Sequence, residues 1–281
     1  MPAQTQPAPG TPDKPIVLEG GIAMTEVTIL LPTYNRARLL VGCIRSVIYQ
    51  SFTDWELIVL DDCSTDSTGA ICQEFKDKDC RIKYIRNDRN LGTPKNRNVG
   101  ISLAKGNWIL FIEDDTLLDK NCLKELVTNK VGGKNMPCLI TNGKCNLNKP
   151  FTFNKWTGEV LNAHACCLYP KSALDKVGGY SGKFIGNYYR EETDLDCRLK
   201  RAGYKFNYVP SAIIYHNPAE HGSWKDIPHA KQVYYTHRNH LVYLSRNFGW
   251  RLIYMIPFYA MSVIKQSIIM RVQNENPICL T

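Results

Sequence analysis

The sequence lacks several features that would assign it to a common class of protein. Its eleven cysteines include no CxxC pair, so the spacing typical of zinc ribbons and of thiol–disulfide motifs is absent. No basic segment followed by an apolar stretch opens the chain, so we do not expect a secretory signal. These absences favour a cytoplasmic protein whose cysteines are reduced and mostly buried.

Long apolar runs are also missing. The most apolar stretch, from Trp250 to Val272, contains Pro257 and Lys265 and falls short of the ~20 apolar residues that span a bilayer. Its aromatic and basic residues fit a peripheral helix at the cytoplasmic face of a membrane better than a spanning one. A buried helix that closes the domain is the alternative.

The composition is that of a globular protein. The chain has 281 residues, 44% of them hydrophobic, which is enough for one large core or for a core with a small satellite. Its formal net charge of +9 predicts an anionic partner. Nucleic acid, an acidic membrane surface and a phosphate-bearing small molecule all satisfy that prediction.

Short apolar runs alternate with amphipathic stretches along the first half of the chain. Helical stretches separate the runs, and 37–52 and 93–104 are the clearest of them. The apolar runs, which we predict to be strands, are 27–32, 56–62, 82–87 and 108–115. Unbroken apolar strands separated by helices predict an α/β fold whose central sheet is mostly parallel and flanked by helices.

Each predicted strand is followed by a polar cluster. In chain order the clusters read PTYNR, DDCSTD, RNDRNLG and EDDT. One such cluster is ordinary loop chemistry, but the carboxyl ends of parallel strands lie on one edge of a sheet, where ligands bind. Four clusters on the same edge therefore predict a binding site.

The fourth cluster is unusual because the apolar run Trp108–Ile112 ends in three acids, Glu113, Asp114 and Asp115. Unpaired buried charge is costly, so the acids need a counter-charge. A turn that caps the next helix needs only one acid. Three acids at one strand end predict a divalent cation with oxygen ligands.

In order, the motifs PTYNR, DDCSTDST, NLGTPKNRNVG, FIEDDT and REETDLDCRLKRAGY closely resemble those of the family 2 inverting glycosyltransferases of the GT-A fold. The resemblance covers roughly Val27 to Ile214. Two departures keep the carboxylate but lengthen its reach: glutamate replaces aspartate at Glu113, and the usual Glu-Asp pair reads Glu191-Glu192.

The resemblance implies a domain organisation. The GT-A (Rossmann-like) catalytic domain is expected over 24–220, with a nucleotide-sugar-binding half (24–118) and an acceptor-binding half (119–220). A helical C-terminal extension is expected over 221–281, and residues 1–23 are interpreted as a flexible leader or cloning remnant. The helix that begins near His229 resembles the RN-containing helix of rhamnosyl-type relatives, which could cover the acceptor.

The resemblance also implies roles for the residues of the donor half. Asp115 is expected to bind Mn²⁺ or Mg²⁺, Asp114 and Glu113 to face the ribose or sugar, and Asp62 to accept the N3 hydrogen of uracil. The turn that lines the nucleotide pocket consists of Pro32, Thr33, Tyr34, Asn35 and Arg36. Lys95 and Arg97, near the start of a helix, either meet phosphate or lie on a solvated basic face.

The second half of the predicted site opens a helix at Glu191. Acids at a helix start are favoured by the dipole, which is the alternative explanation for this cluster. Inversion nevertheless needs a base for the acceptor hydroxyl, and the resemblance assigns that role to Glu192, with Glu191 as the second choice. Asp194 is expected to face substrate, and His216, at the end of a later strand, to complete the metal or diphosphate site.

The sequence thus predicts a metal-dependent, hexosyltransferase-type enzyme that moves a sugar from a nucleoside-diphosphate sugar, with UDP-sugar favoured. The acceptor is expected to be a hydroxyl of a glycan or of a polyprenyl-linked molecule. A sugar nucleotidyltransferase is one alternative, although no GxGxR phosphate loop follows the first strand. The other is a basic, non-enzymatic nucleic-acid-binding protein, against which the acids at the strand ends argue.

Overall fold

The computed structural model describes residues 25–145, 152–153, 160–161, 166–185, 190–218 and 227–275. The leader predicted over residues 1–23 lies outside the described residues, and so does His221, a less certain site candidate. The strands are β1 (Val27–Thr33), β2 (Trp55–Asp61), β3 (Ile82–Arg86), β4 (Trp108–Phe111), β5 (Thr116–Leu118), β6 (Lys134–Thr141), β7 (Lys144–Cys145), β8 (Thr152–Phe153), β9 (Val160–Leu161), β10 (Leu168–Pro170) and β11 (Phe206–His216). The helices are α1 (Ala37–Ile48), α2 (Thr68–Lys78), α3 (Thr93–Leu103), α4 (Cys122–Thr128), α5 (Lys171–Val177), α6 (Glu191–Arg201), α7 (His229–Asn247) and α8 (Leu252–Glu275), with a short 3₁₀ helix at Gly249–Arg251.

The first half of the sheet is parallel, as the alternating pattern predicted. Its strands lie in the order β3-β2-β1-β4, and every neighbouring pair in that order runs parallel. The register pairs Val27 of β1 with both Trp55 and Trp108, so the three strands begin level with one another. Their carboxyl ends therefore reach the same edge of the sheet, where the polar clusters follow them.

The second half of the sheet is mixed. Strand β10 runs antiparallel to both β4 and β6, whereas β11 runs parallel to β6 and antiparallel to β5. The pairing of β5 with β11 places His216 opposite Thr116. The predicted α/β fold with a mostly parallel sheet flanked by helices is confirmed, and the antiparallel insertion of β10 is an addition to it.

Two apolar layers cover the sheet. Successive side chains of a strand point to opposite faces, so Ile29 and Leu31 of β1 face one layer and Leu30 faces the other. Helices α1, α2 and α4 pack on the first face, and α3, α5 and α6 pack on the second. These layers hold the carboxyl edge of the sheet in a fixed shape.

A third, small apolar cluster joins the C-terminal helices to the rest. It contains Phe184, Tyr243, Leu244 and Met255, all of them buried. Helix α8 runs on through Pro257, at which the sequence alone suggested an interruption. No helix in the described part of the chain has both the length and the apolar character needed to cross a bilayer.

One cysteine pair departs from the expectation of reduced thiols. Cys138 on β6 and Cys145 on the short strand β7 form a disulfide. The antiparallel pairing of the two strands brings the residues together, with Ile140 opposite Cys145. Spacing along the chain gave no indication of it, and the other cysteines in the described part of the chain form no disulfide.

Candidate active site

The polar clusters that follow β1 and β4 are in direct contact. The Thr33 hydroxyl donates to Asp114 Oδ2 at 2.9 Å. Arg36 donates from Nη1 to Asp114 Oδ1 at 2.9 Å and reaches Asp115 Oδ2 at 3.4 Å. The predicted convergence of PTYNR and EDDT is therefore a hydrogen-bonded unit with one cation and two acids.

The turn after β1 is also tied to the loop after β2. Asn35 has a positive φ of 53°, its N–H donates to the Ser64 hydroxyl at 2.9 Å, and its Oδ1 accepts from the Thr65 N–H at 2.7 Å. Pro32 is half-buried, and Tyr34 lies on the surface with 44% of its area exposed. Tyr34 is thus the large side chain of this turn that a ligand can contact.

Asp61 and Asp62 have different surroundings. Asp61 is fully buried and accepts hydrogen bonds from the Ser64 N–H, the Tyr84 hydroxyl and Arg86. Its contacts are internal to the fold, so Asp61 is a structural residue.

Asp62 holds the loop after β3. Its Oδ1 accepts from Asn87 Nδ2 at 2.9 Å and from the Leu91 N–H at 2.8 Å, and its Oδ2 accepts from the Gly92 N–H at 2.8 Å. The carboxylate that was predicted to recognise uracil therefore holds the loop that follows β3. Oδ2 has capacity for a second donor.

Lys95 and Arg97 lie on opposite faces of α3. Lys95 is exposed in the first turn, where a helix favours phosphate. Arg97 is only 1% exposed. Its Nη1 donates to Glu192 Oε1 at 2.7 Å, and its Nη2 lies 3.4 Å from Glu113 Oε1. These contacts give no support to the phosphate role predicted for Arg97, and we do not retain it.

The acids after Phe111 lie in a turn and not in the strand that was predicted over 108–115. Strand β4 ends at Phe111, and Thr116 closes the turn by donating from its hydroxyl to the Glu113 carbonyl at 2.6 Å. The chain then reverses into β5. The turn directs Glu113 and Asp115 toward the end of β11.

Glu113, Asp115 and His216 form a cluster that fits a metal ion. One ligand atom from each lies within 4.8 Å of the others, and His216 Nε2 is 3.5 Å from Asp115 Oδ1. The Asn217 N–H donates to the Asp115 carbonyl at 2.9 Å, which locks β11 to the turn. Two carboxylates and one imidazole are donors that Mn²⁺ accepts, and the carboxylates also suit Mg²⁺. Glu113, which was predicted to face substrate, is thus a third candidate ligand.

Burial and mutual repulsion act on the ionisation of this cluster. Burial raises the pKa of Asp114 to about 6 against the opposing charge of Arg36. Burial also raises the pKa of Glu113 above its usual value, although 41% of its side-chain surface remains exposed and Arg97 opposes the shift. The hydrogen bond with Asp115 raises the pKa of His216. Acids that are held together in this way are stabilised by a bound cation.

Glu191 and Glu192 begin α6, as predicted, but only one of them is accessible. Glu191 is 3% exposed, and burial together with the neighbouring Glu192 raises its pKa well above the usual range. Glu192 keeps 17% of its side-chain surface exposed and is paired with Arg97. The positive φ of 82° at Arg190, the residue before the helix, sets the direction in which α6 starts.

Asp194 does not face the same space. It is fully buried, its Oδ2 accepts from Arg198 at 2.8 Å, and its Oδ1 accepts from Arg246 at 3.0 Å and from Asn247 at 2.8 Å. Two residues along a helix rotate the side chain by about 200°, so Asp194 points away from Glu192. We therefore remove Asp194 from the predicted substrate contacts, since it links α6 to α7.

Comparison with known proteins assigns the family. The family model for Glycosyl transferase family 2 matches residues 28–145. The putative colanic acid biosynthesis glycosyl transferase WcaA of Escherichia coli K12 is 32% identical over 221 residues, which cover 76% of this chain and 73% of that protein. The chain belongs to glycosyltransferase family 2. It is therefore an enzyme of the transferase class, as its motifs predicted.

A second relative is 35% identical over 187 residues, 58% of this chain and 57% of its own length. It is the GalNAc(5)-diNAcBac-PP-undecaprenol beta-1,3-glucosyltransferase of Campylobacter jejuni. Among solved structures, Staphylococcus aureus TarS 1-349 in complex with UDP-GlcNAc aligns over 81% of this chain and 74% of that chain, with a TM-score of 0.57 and 17% sequence identity. At that identity the likeness supports the GT-A fold alone.

Three site residues of this family 2 glycosyltransferase were not anticipated. Asn87 donates to Asp62, and Asn96 Oδ1 accepts from the same Asn87 amide at 2.9 Å. Thr141, at the end of β6, lies 3.3 Å from His216 Nδ1. The two asparagines belong to motifs that can be read from the sequence. The position of Thr141 beside His216 depends on the pairing of β6 with β11, which the sequence motifs do not give.

The RN pair of α7 supports a neighbouring segment of the enzyme. Arg238 donates to the Lys183 carbonyl at 2.9 Å. Asn239 is fully buried, donates to the Ile185 carbonyl at 2.8 Å and accepts from the Ile185 N–H at 3.4 Å. Helix α7 thereby holds the segment that contains Lys183 and Ile185.

Proposed function

We propose that this family 2 glycosyltransferase is a metal-dependent, inverting enzyme that uses a UDP-sugar and a carboxylate base. The observation that carries the proposal is the arrangement around Arg97, which contacts Glu113 of the metal cluster and Glu192 of α6. Transfer needs a cation at the diphosphate and a base at the acceptor hydroxyl. Glu113, a candidate metal ligand, and Glu192, the proposed base, both contact the Arg97 guanidinium.

In this proposal Glu113, Asp115 and His216 would hold Mn²⁺ or Mg²⁺, which would offset the charge of the diphosphate. The acceptor oxygen attacks the anomeric carbon, and Glu192 takes the proton from that oxygen. The bond between the anomeric carbon and the diphosphate oxygen breaks, and UDP leaves. Because attack comes from the face opposite the leaving group, the configuration inverts.

The chemistry of Asp62 and Lys95 and the names of relatives support the proposed classes of donor and acceptor. Asp62 suits the N3–H of uracil, Lys95 suits phosphate, and TarS is described in complex with UDP-GlcNAc. The C. jejuni relative is named for an undecaprenol-linked acceptor, and WcaA for colanic acid biosynthesis. We therefore propose a glycan or polyprenyl-linked acceptor, met at the cytoplasmic face of a membrane.

A panel of nucleotide sugars tests the function directly. Metal-dependent hydrolysis or transfer should occur with one or more UDP-sugars and stop when the metal is removed by EDTA. Turnover that is unchanged by EDTA, or activity confined to purine nucleotide sugars, would contradict the proposal. Binding of oligonucleotide with a steep salt dependence and no sugar transfer would favour the nucleic-acid alternative.

Substitution of Asp62 tests the base contact. We expect Asp62→Ala to weaken UDP binding roughly 10-fold or more, because a hydrogen bond to a charged acceptor is lost. The preference for UDP over other nucleoside diphosphates should shrink in titration calorimetry. Asn87→Ala is the matched control, since it removes a tie between Asp62 and the loop but keeps the carboxylate. An equal loss of preference in both variants would assign the effect to loop geometry.

Membrane contact is proposed for the exposed side of α8. Residues at helical spacing form one uncharged, apolar stripe on it. The stripe consists of Ile253, Ile256, Pro257, Ala260, Met261 and Ile264, all of them exposed. The opposite side, with Met255 and Tyr259, is buried. An apolar face beside the basic residue Arg251 fits the interface of an anionic bilayer.

Replacing four residues of this stripe by glutamine tests the contact without removing the helix. Ile253, Ile256, Met261 and Ile264 are the positions changed. The fraction bound to anionic liposomes should fall at least ~10-fold, because each apolar side chain contributes on the order of 1 kcal/mol or more when it leaves water. Donor hydrolysis should be retained. Exposed Tyr49 and Leu103, changed to glutamine, serve as the control, and equal binding by all three proteins would refute the contact.

A further inference from the structure

Arg97 is a buried cation between two parts of the proposed site. It is 1% exposed, and its Nη1 donates to Glu192 Oε1 at 2.7 Å. Its Nη2 lies 3.4 Å from Glu113 Oε1. The planar fork of the guanidinium thus reaches one acid on the acceptor side and one on the metal side, each through a different nitrogen.

The position of the guanidinium is fixed by the residues around it. Its carbon lies 5.9 Å from the centre of the Phe111 ring and 5.2 Å from that of the Tyr180 ring. Tyr180 is held in turn by Asn98, which donates to its carbonyl at 2.7 Å and accepts from its N–H at 2.8 Å. Helix α3 therefore supplies both the guanidinium, from Arg97, and the residue that holds the Tyr180 ring beside it, Asn98.

This arrangement favours a positioning role over a role in binding the donor. A residue that binds the diphosphate must be reached by it, and Lys95, two residues earlier, is the exposed cation of the first turn. Arg97 has its charged groups turned to Glu192 and Glu113 instead.

We propose that Arg97 is a positioning residue that holds the Glu192 carboxylate in the orientation from which it accepts the acceptor proton, and that ties it to the metal-side acid Glu113. The inference rests on the proposed function, because it assumes that Glu192 is the base. It gives Arg97 no contact with the donor and assigns the effect of Arg97 on kcat to Glu192.

A double-mutant cycle between Arg97 and Glu192 tests the inference. The proteins are the parent, Arg97→Lys, Glu192→Gln and the double variant, with Arg97→Gln as a second replacement. For each, kcat and donor KM are measured at saturating metal, and UDP binding with metal is measured by calorimetry. Lys95→Met is the comparison variant from the same helix.

We expect Arg97→Lys to lower kcat at least ~10-fold, since a displaced catalytic group costs up to about 100-fold. Donor KM and UDP affinity should stay within about threefold of the parent, which is about half of the ~1.4 kcal/mol that a tenfold change represents. In the Glu192→Gln background the same replacement should cause no further loss. Lys95→Met should instead raise donor KM, and its effect should be retained in that background.

An equal loss of kcat from Arg97→Lys in the parent and in the Glu192→Gln background would overturn the inference. So would a rise in donor KM as large as that of Lys95→Met, or a loss of UDP binding in both Arg97 variants, which would mark a role in the fold. Failure of the proposed function is separate, since Glu192→Gln alone would then transfer sugar at the parental rate.

Discussion

Asp115→Asn is expected to abolish metal-dependent binding of the sugar donor while the protein remains folded. Asp115 lies in the turn after β4, 3.5 Å from His216 Nε2, and it contributes a ligand atom to the cluster with Glu113. Asparagine has the same shape but loses the charge that a divalent cation requires. Loss of a residue that only supports a metal ligand costs about 10–100-fold in metal affinity, so loss of a ligand should cost at least that much.

Titration calorimetry of UDP with and without Mn²⁺ or Mg²⁺ measures this loss. The parent should gain affinity on addition of the metal, and Asp115→Asn should not. Asp119→Asn is the matched control, because Asp119 is an acid that follows β5 and whose side chain accepts a hydrogen bond from the Asn121 N–H. Retention of the metal effect in Asp115→Asn would remove Asp115 from the proposed ligands.

The parallel half of the fold could be predicted because the patterns that specify its strands and helices lie in short, contiguous stretches of the sequence. Apolar runs such as Val27–Pro32, separated by amphipathic stretches, specify buried parallel strands, and their ends then coincide. The contact of Arg36 with Asp114 and Asp115 follows from that geometry. The sequence thus predicted that the clusters after β1 and β4 meet at one edge of the sheet.

Two site predictions were misplaced because charge alone does not give the direction of a side chain. Arg97 shares the inner face of α3 with Gly100 and Ile101, which are buried, so the helix turns it inward. Asp194 lies two residues after Glu192, which places it on the other side of α6. In both helices the apolar periodicity indicates which face is buried, whereas the number of charged residues does not.

Contacts that depend on the register of paired strands could not be predicted from the sequence. The Thr141–His216 contact depends on the register of β6 with β11, which contains a bulge between Val209 and Ile213. The Cys138–Cys145 disulfide depends likewise on how β7 folds back onto β6. A shift of one residue in a strand reverses the face on which each side chain lies, so such pairs require the assembled sheet.

Glu192→Gln is expected to leave donor binding nearly unchanged and to lower sugar transfer by at least ~100-fold, the low end of what general base catalysis contributes. Glutamine keeps the size of the side chain and its position near Arg97, but it cannot take a proton from the acceptor. Removing one partner of a buried ion pair costs about 3–5 kcal/mol, but glutamine still accepts a hydrogen bond from Arg97 and Glu113 stays beside the guanidinium, so we expect a smaller loss and a folded protein. Transfer is measured with a radiolabelled donor, and folding by thermal denaturation.

Glu191→Gln is the matched control for this prediction, and the structure sharpens the expected difference between the neighbours. Glu191 is 3% exposed, and its pKa is raised by burial and by the adjacent Glu192, so the protonated form is the one the fold favours. Glutamine resembles that neutral form. Glu191→Gln should therefore retain transfer to within about threefold. The parent loses stability as the pH rises above the ordinary pKa of a glutamate, because the buried acid must then ionise or hold its proton against solvent, and Glu191→Gln should be free of this loss and so more stable than the parent at those pH values. If Glu191→Gln loses transfer and Glu192→Gln keeps it, the base is Glu191; if both remain active, no carboxylate at this helix accepts the proton.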